Sequence, residues 1–284
     1  MLRLGLKDYI IFPAYGVRLS DKINIMFFCI LHSLSFILGT WGKILFKHWL
    51  KRIPKILVQL PFGIFICRKG TDDILHVRPN YEMYLREWFS SIKSGTFIDI
   101  GAHIGFYTCM VGQQIKGAII AIEADPNNYA SLRKHVKINN RQVLTYVLNY
   151  AAYHENRPVR LFISSESPAQ HSLIKGSGHT IIVEGRTLDS IVDELIQTRG
   201  SLPTPYSVKI DVEGSEISVL KGASNILRQT SKILVEVSPG TLLFVKKILQ
   251  DAGFRKLKIL KYPLREIDHF YIIGYREAQD AEIL

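Results

Sequence analysis

Cysteine, acidic charge near the N-terminus and internal repetition are what this 284-residue sequence has least of. Its three cysteines, Cys29, Cys67 and Cys109, are odd in number, widely spaced and outside any CxxC pattern. That argues against a disulfide scaffold or a zinc ribbon and fits a reducing compartment. No segment repeats with a solenoid-like period and none is low in complexity, which excludes repeat arrays. Charged residues make up only 21% of the chain, against 47% hydrophobic. Disorder is therefore excluded as the main state. The length suits one large α/β domain with an appendage, or two modest domains.

Acidic residues are missing altogether between Asp21 and Asp72, so the formal net charge of +11 is unevenly placed. Residues 1–94 hold 14 Lys/Arg against 6 Asp/Glu, and residues 95–284 hold 22 against 19. An electrostatic partner, whether nucleic acid or an anionic membrane, is to be sought first in the N-terminal third.

The chain divides into an apolar, basic N-terminal extension (1–52), accessory strands and a helix (53–94), an alternating strand–helix region (95–276) and a polar tail (277–284). In the accessory segment, 56–60 and 64–67 read as strands. The run 23–42 carries no formal charge and holds thirteen apolar residues of twenty. It is long enough to cross a bilayer. His32, Ser35, Gly39 and Gly42 fall on one helical face. That stripe suits packing in a membrane, or a helix lying on the protein with the stripe toward water. Lys43, Lys47, Lys51, Arg52 and Lys55 follow at once, which would keep the rest of the chain in the cytosol if the run spans.

From residue 95 the βαβ alternation carries the chemistry. A strand over 96–100 runs into Asp99-Ile100-Gly101-Ala102-His103-Ile104-Gly105 and a helix over 106–113. Strand, glycine turn and helix make a nucleotide cradle. Gly101 lets backbone approach a ligand and Gly105 lets the helix pack on the strand. The spacing is G-x-x-x-G, not the dinucleotide G-x-G-x-x-G. The next strand, 118–122, ends in Glu123, 24 residues after Asp99. An acid there grips two ribose hydroxyls, or serves as a helix N-terminal acid. Ala124 and Asp125 turn the chain, and Pro126 opens a helix running through 127–139. After the strand 145–149, Asn149 or the backbone beyond it meets an adenine edge, or is a plain turn residue. A strand over 157–163 leads to the Ser/Gly/Pro-rich stretch 164–178, which contains His171, a general base or a solvated loop histidine. The strand 206–210 closes on Asp211-Val212-Glu213-Gly214. Lys209, Asp211 and Glu213 share a face if the strand continues through them. Such a set can hold a cation, orient a ligand amine, deprotonate a hydroxyl or form a structural salt-bridge cluster. A helix over 216–227, a strand over 233–237 with Glu236 near its end, a helix over 245–252 and strands over 254–260 and 270–275 complete the pattern.

FIDIGAHIGFYT (97–108), EADPNNYASL (123–132), RTLDSI (186–191), KIDVEGSEISVLKGA (209–223) and LVEVSP (234–239) occur in that order. Together they resemble the FkbM family of S-adenosylmethionine-dependent methyltransferases, over roughly 53–276. The resemblance implies a class I (Rossmann-like) α/β fold, a mostly parallel seven-stranded sheet with an antiparallel last strand and helices on both faces. It implies that Asp99, Gly101, Ala102, Gly105, Glu123 and Ala124 hold the donor. His103 stands where the family often has Asn. Asp211 and Glu213 match positions facing the methyl group and the acceptor. The implied reaction is O-methylation of a sugar, glycan or other small molecule bearing a hydroxyl. No metal ligand set is assigned.

Two other readings compete. The overall charge suggests a nucleic-acid methyltransferase, but no N-P-P-[YF]-like string is present and the catalytic region is weakly basic for a phosphate tracker. A membrane-associated donor-binding protein without turnover is argued against by the acids at 99, 123, 211 and 213. The expected location is cytoplasmic, with residues 23–55 as an anchor or a contact with an anionic membrane surface.

Overall fold

The computed structural model describes residues 10–164, 171–173, 179–262 and 269–276. The polar tail and most of the Ser/Gly/Pro-rich stretch lie outside the described residues. The chain forms two compact units, Met1–Tyr84 and Leu85–Leu284.

In the first unit the uncharged run is not one helix. Helix α1 (Leu19–Ile37) and helix α2 (Gly39–Leu50) meet at Gly39, whose φ of +57° ends the first. The stripe of small and polar residues turns inward, not toward water. His32 and Ser35 are buried. A Cβ on Gly42 would lie 2.7 Å from the Leu34 carbonyl oxygen, so glycine lets the helices cross closely. His32 stacks on Phe28 at 5.5 Å and meets Phe46 at 5.0 Å. Burial, with the charge of Arg78, pushes its pKa down to about 3. The buried Asp21 accepts from the Leu57 N–H at 3.2 Å, tying α1 to the hairpin of β1 (Ile56–Leu60) and β2 (Gly63–Cys67). The two hairpin strands fall where the sequence places them.

The second unit is built on seven strands: β3 (Ser94–Ile100), β4 (Lys116–Ile122), β5 (Leu144–Leu148), β9 (Tyr206–Ile210), β10 (Thr230–Val237), β11 (Lys256–Lys261) and β12 (Phe270–Tyr275). Their order is β11-β12-β10-β9-β3-β4-β5. Only β12 runs against the others. β3, β4 and β9 are near-continuous runs of buried residues, as strands covered on both faces must be. The chain leaves β3 toward β4 on one side and returns through β9 on the other, so a crevice opens between the carboxyl ends of β3 and β9. This is the doubly wound sheet with an antiparallel last strand that the motifs imply.

Helices α3 (Phe106–Gly112), α4 (Pro126–Asn139), α5 (Leu188–Arg199), α6 (Glu216–Lys221), α7 (Ser224–Gln229) and α8 (Leu242–Asp251) connect these strands. The single helix expected over 216–227 breaks at Gly222, where a Cβ would lie 2.1 Å from the Tyr153 carbonyl oxygen. A small sheet of β6 (Ala151–Ala152), β7 (Arg157–Phe162) and β8 (Thr180–Arg186) has the order β6-β8-β7. β7 is one arm of a hairpin, and β8 is its antiparallel partner.

Candidate active site

The loop after β3 is held by backbone. The Gly101 and Ala102 N–H groups both donate to the Ile122 carbonyl, each at 3.0 Å. Gly101 has φ +73°, and a Cβ there would stand 1.7 Å from the Asp211 carbonyl oxygen. The glycine thus admits the backbone leaving β9, joining donor loop to acid turn. His103 is also left-handed, with φ +50°, a region where histidine is enriched after Asn and Asp. Gly105 begins α3 at φ +91°, and a Cβ there would meet Leu132 on α4 at 2.7 Å. Its tight neighbour is therefore the next helix, not the strand.

Glu123 closes β4 against this loop. One carboxylate oxygen accepts from the His103 N–H at 2.8 Å and the other from the Asp125 N–H at 2.9 Å. Burial pushes its pKa up to about 7, with those two N–H groups pulling the other way. Each oxygen keeps lone-pair capacity for a ligand hydroxyl. Asp125 caps α4 by accepting from Asn127 and Asn128 N–H groups at 2.9 and 2.8 Å, and Pro126 is the first helical residue. Asn149 Nδ2 donates to the Glu123 and Ala124 carbonyls at 2.8 and 3.0 Å. Its amide nitrogen is thereby committed to the loop.

Asp99 is wholly buried and accepts from Thr108 Oγ1 at 2.6 Å. Lys209 Nζ lies 3.3 Å from Asp99, 3.2 Å from Asp211 and 3.1 Å from the Gly101 carbonyl, over the Tyr107 ring. With two carboxylates and a carbonyl around it, the ammonium acts by positioning: it fastens β3, the glycine loop and the end of β9 together. Burial would raise the Asp211 carboxyl, but Lys209 and a hydrogen bond with Glu236 outweigh it and hold the pKa below the usual carboxylate range. Its side chain remains 31% exposed.

The strand does not continue through Glu213. It stops at Ile210, and Glu213 sits at φ +50°, so the alternation of Lys209, Asp211 and Glu213 is not a strand face. Burial first, then the Asp211 and Glu216 charges, push the Glu213 pKa up to about 8. His171 Nδ1 accepts from the Ser164 N–H at 3.0 Å and its Nε2 is 3.8 Å from Asp125, while the next residue, Ser172, donates its hydroxyl to the Glu213 carbonyl at 2.8 Å.

Three residues without a role in the sequence analysis complete the site. A pocket of about 170 Å³ is lined by Glu213, Glu216, Glu236, Val237, Ser238 and His269, with Gly214. Glu236 bonds His269 Nδ1 at 2.8 Å. A hydrogen bond between Glu236 and Asp211 helps to hold the Asp211 carboxyl low. Glu236 ends an apolar strand as Glu123 and Asp211 follow theirs, which is the signal that could have found it. His269 has no such local signal: it stands just before β12, which starts at this edge because it runs antiparallel.

Glu216 is also pushed up by burial, to about 7. Glu123, Glu213 and Glu216 thus bind protons more tightly folded than unfolded, where the ordinary value is 4.5. Their contribution to stability is fully present below pH 4.5 and is lost as pH rises through 7 to 8. The melting temperature should therefore fall between pH 5 and pH 8, and Glu213→Gln should flatten the upper part of that fall. Calorimetric melts across this range check it; an unchanged slope in the variant would contradict the assignment.

Residues 99–256 match the family model described as Methyltransferase FkbM domain. The chain is 31% identical over 186 residues to the hexuronic acid methyltransferase AglP of Haloferax volcanii, covering 63% of this chain and 70% of that protein. Among solved structures it is similar to the methyltransferase FkbM from Methylobacillus flagellatus KT, with 16% identity and a TM-score of 0.44, covering 94% of this chain and 58% of that one. It is also similar to M. jannaschii TYW2 in complex with AdoMet, with 13% identity and a TM-score of 0.44, covering 78% and 84%.

Proposed function

This chain belongs to the FkbM family of methyltransferases and uses S-adenosylmethionine, and from that premise we propose that it methylates a hydroxyl group on a sugar. The observation that carries the acceptor chemistry is Asp211, an ionised, partly exposed carboxylate between the glycine loop and the acidic pocket. The hexuronic acid named for the Haloferax relative supports a sugar.

The residues fit the donor by their chemistry. Glu123 offers two carboxylate oxygens to a ribose diol, and the Gly101–Gly105 turn offers backbone at the crevice. Asn149 Oδ1 and Ala124 border the same strand ends. When bound, the donor supplies an electrophilic methyl group on a sulfonium centre. The chain's own work is alignment and proton transfer. Asp211 receives the acceptor hydroxyl at one oxygen while Lys209 holds the carboxylate in place. As the C–O bond forms and the methyl–sulfur bond breaks to leave a neutral thioether, the acceptor hydroxyl would become strongly acidic, so even a carboxylate held low would suffice to take its proton. Glu213, carrying a proton at neutral pH, can donate a hydrogen bond to a neighbouring acceptor oxygen.

Asp211→Asn should lower kcat by about 10²- to 10⁴-fold while donor affinity, measured by titration calorimetry, changes little. Methyl transfer at the wild-type rate would exclude Asp211 as the base.

We also propose that the first unit lies on an anionic membrane surface. The buried side of α1 and α2 is partly polar, while the exposed side carries Phe27, Ile30, Ile37, Trp41, Ile44 and Leu45. Trp41 is 77% exposed, and Lys43, Lys47, Lys51, Arg52 and Lys55 on the same segment are exposed. Apolar side chains beside lysines suit a lipid interface. The tie from Asp21 to β1 favours α1 lying in the interface over crossing it. Sedimentation with vesicles should show binding to phosphatidylserine-containing but not purely phosphatidylcholine vesicles. Lys43→Glu/Lys47→Glu/Lys51→Glu should weaken it more than about tenfold, taking about 1 kcal/mol per basic residue. Equal recovery with both vesicle types would refute lipid docking.

A further inference from the structure

The pocket beside Asp211 has one sign of charge. Glu213, Glu216 and Glu236 line it, no Lys or Arg among the described residues does, and His269 is already bonded to Glu236. Lys209, on the far side of Asp211, contacts Asp99, Asp211 and the Gly101 carbonyl.

Glu216 gives the pocket its direction. It opens α6 and is only 2% exposed. One carboxylate oxygen accepts from the Gly214 N–H at 2.6 Å. The other, Oε2, is buried with no hydrogen-bond partner among the described residues. A buried carboxylate oxygen without a donor is costly, and native structures rarely keep one without a use. The Asp211 charge nearby adds to that cost.

We propose that this pocket is the acceptor subsite and that it recognises an ammonium group on the sugar, so that the substrate is an amino sugar methylated on a nearby hydroxyl. The inference rests on the reading of sugar O-methylation and narrows it. An ammonium brings three donors and no acceptor. It satisfies Glu216 Oε2 and balances the carboxyls around it. A uronate would instead add another carboxylate to the group, and an N-acetyl group would remove the charge that the pocket selects. The raised proton affinity of Glu213 and Glu216, set first by burial and then by neighbouring carboxylates, agrees with this, since a bound cation would take the place of those protons.

The test uses the full chain, isotope-labelled donor and four sets of methyl pyranosides in gluco, galacto and manno configuration: the free 2-amine, its N-acetyl form, the neutral sugar and the uronate. The free amine should exceed the N-acetyl form in kcat/KM by about tenfold or more, as expected for one charge-assisted hydrogen bond. Glu216→Gln should collapse that ratio toward one while donor affinity is kept. If Glu216→Gln melts early, Glu213→Gln is read for the same ratio. Neutral sugars or uronates turned over as well as the amines would overturn the ammonium subsite and leave sugar O-methylation standing. An amine preference unchanged in both variants would overturn the role of this pocket. Transfer to none of the four sets, with donor bound in calorimetry, would defeat the sugar reading and this inference with it.

Discussion

Lys209→Met is expected to lower the melting temperature of the catalytic unit by about 10 °C or more. The substitution keeps the side chain's length and removes its charge. Asp99, wholly buried, would then hold a carboxylate with the Thr108 hydroxyl as its hydrogen-bond donor among the described residues. Breaking a buried pair from one side costs about 3–5 kcal/mol, because the remaining charge is stranded. That is a large share of a typical domain stability of about 5–15 kcal/mol. The damage also spreads, since Lys209 binds the Gly101 carbonyl and Asp211 besides Asp99. A double variant with Asp99→Asn should recover part of the loss, because it removes the stranded charge; the difference measures the coupling. A single variant that melts within a degree or two of wild type would show that the three-way contact contributes little.

Gly101→Ala is expected to cut turnover by about 10²-fold, with a parallel loss of donor affinity. Two effects combine. The φ of +73° is left-handed, which costs an L-residue about 1–2 kcal/mol. The new Cβ would also stand 1.7 Å from the Asp211 carbonyl oxygen, a backbone atom that cannot rotate away. Either the glycine loop or the acid turn must shift, and both belong to the site. A displacement of about 1 Å in such a constellation is enough for that loss. Gly105→Ala provides the control. It is also left-handed, but its Cβ would meet the end of the flexible Leu132 side chain. It should therefore be milder in both donor binding and turnover. Calorimetric titration with the donor and initial-rate assays separate the two effects. A Gly105→Ala effect larger than that of Gly101→Ala would contradict this ranking.

The parts of the fold that rest on local patterns were legible in the sequence. Apolar runs ending in acids marked β3, β4 and β9, and G-x-x-x-G marked the turn that joins β3 to α3. What depends on distant contacts was not. The run 23–42 reads as one helix until Gly39 turns left-handed and folds α2 back on α1. β8 is defined by pairing with β7, from Phe162 opposite Thr180 to Arg157 opposite Gly185. His269 reaches the site only because β12 is antiparallel. Glu213 left the expected face because β9 stops at Ile210, a backbone event that alternation cannot reveal. His171 carries no local signal for its contacts with Ser164 and Asp125. The alternation in the sequence sets Lys209 beside Asp211, but its reach to Asp99 and the Gly101 carbonyl shows only in three dimensions.

The most direct measurement is transfer of a ¹³C-methyl group from labelled S-adenosylmethionine to the pyranoside panel, with the product carbon located by NMR and Asp211→Asn run alongside. The account predicts a methyl ether on a sugar oxygen with the wild-type chain, and a strong loss of that signal in the variant at unchanged donor affinity. Label found on nitrogen, or appearing at the same rate in Asp211→Asn, would contradict it.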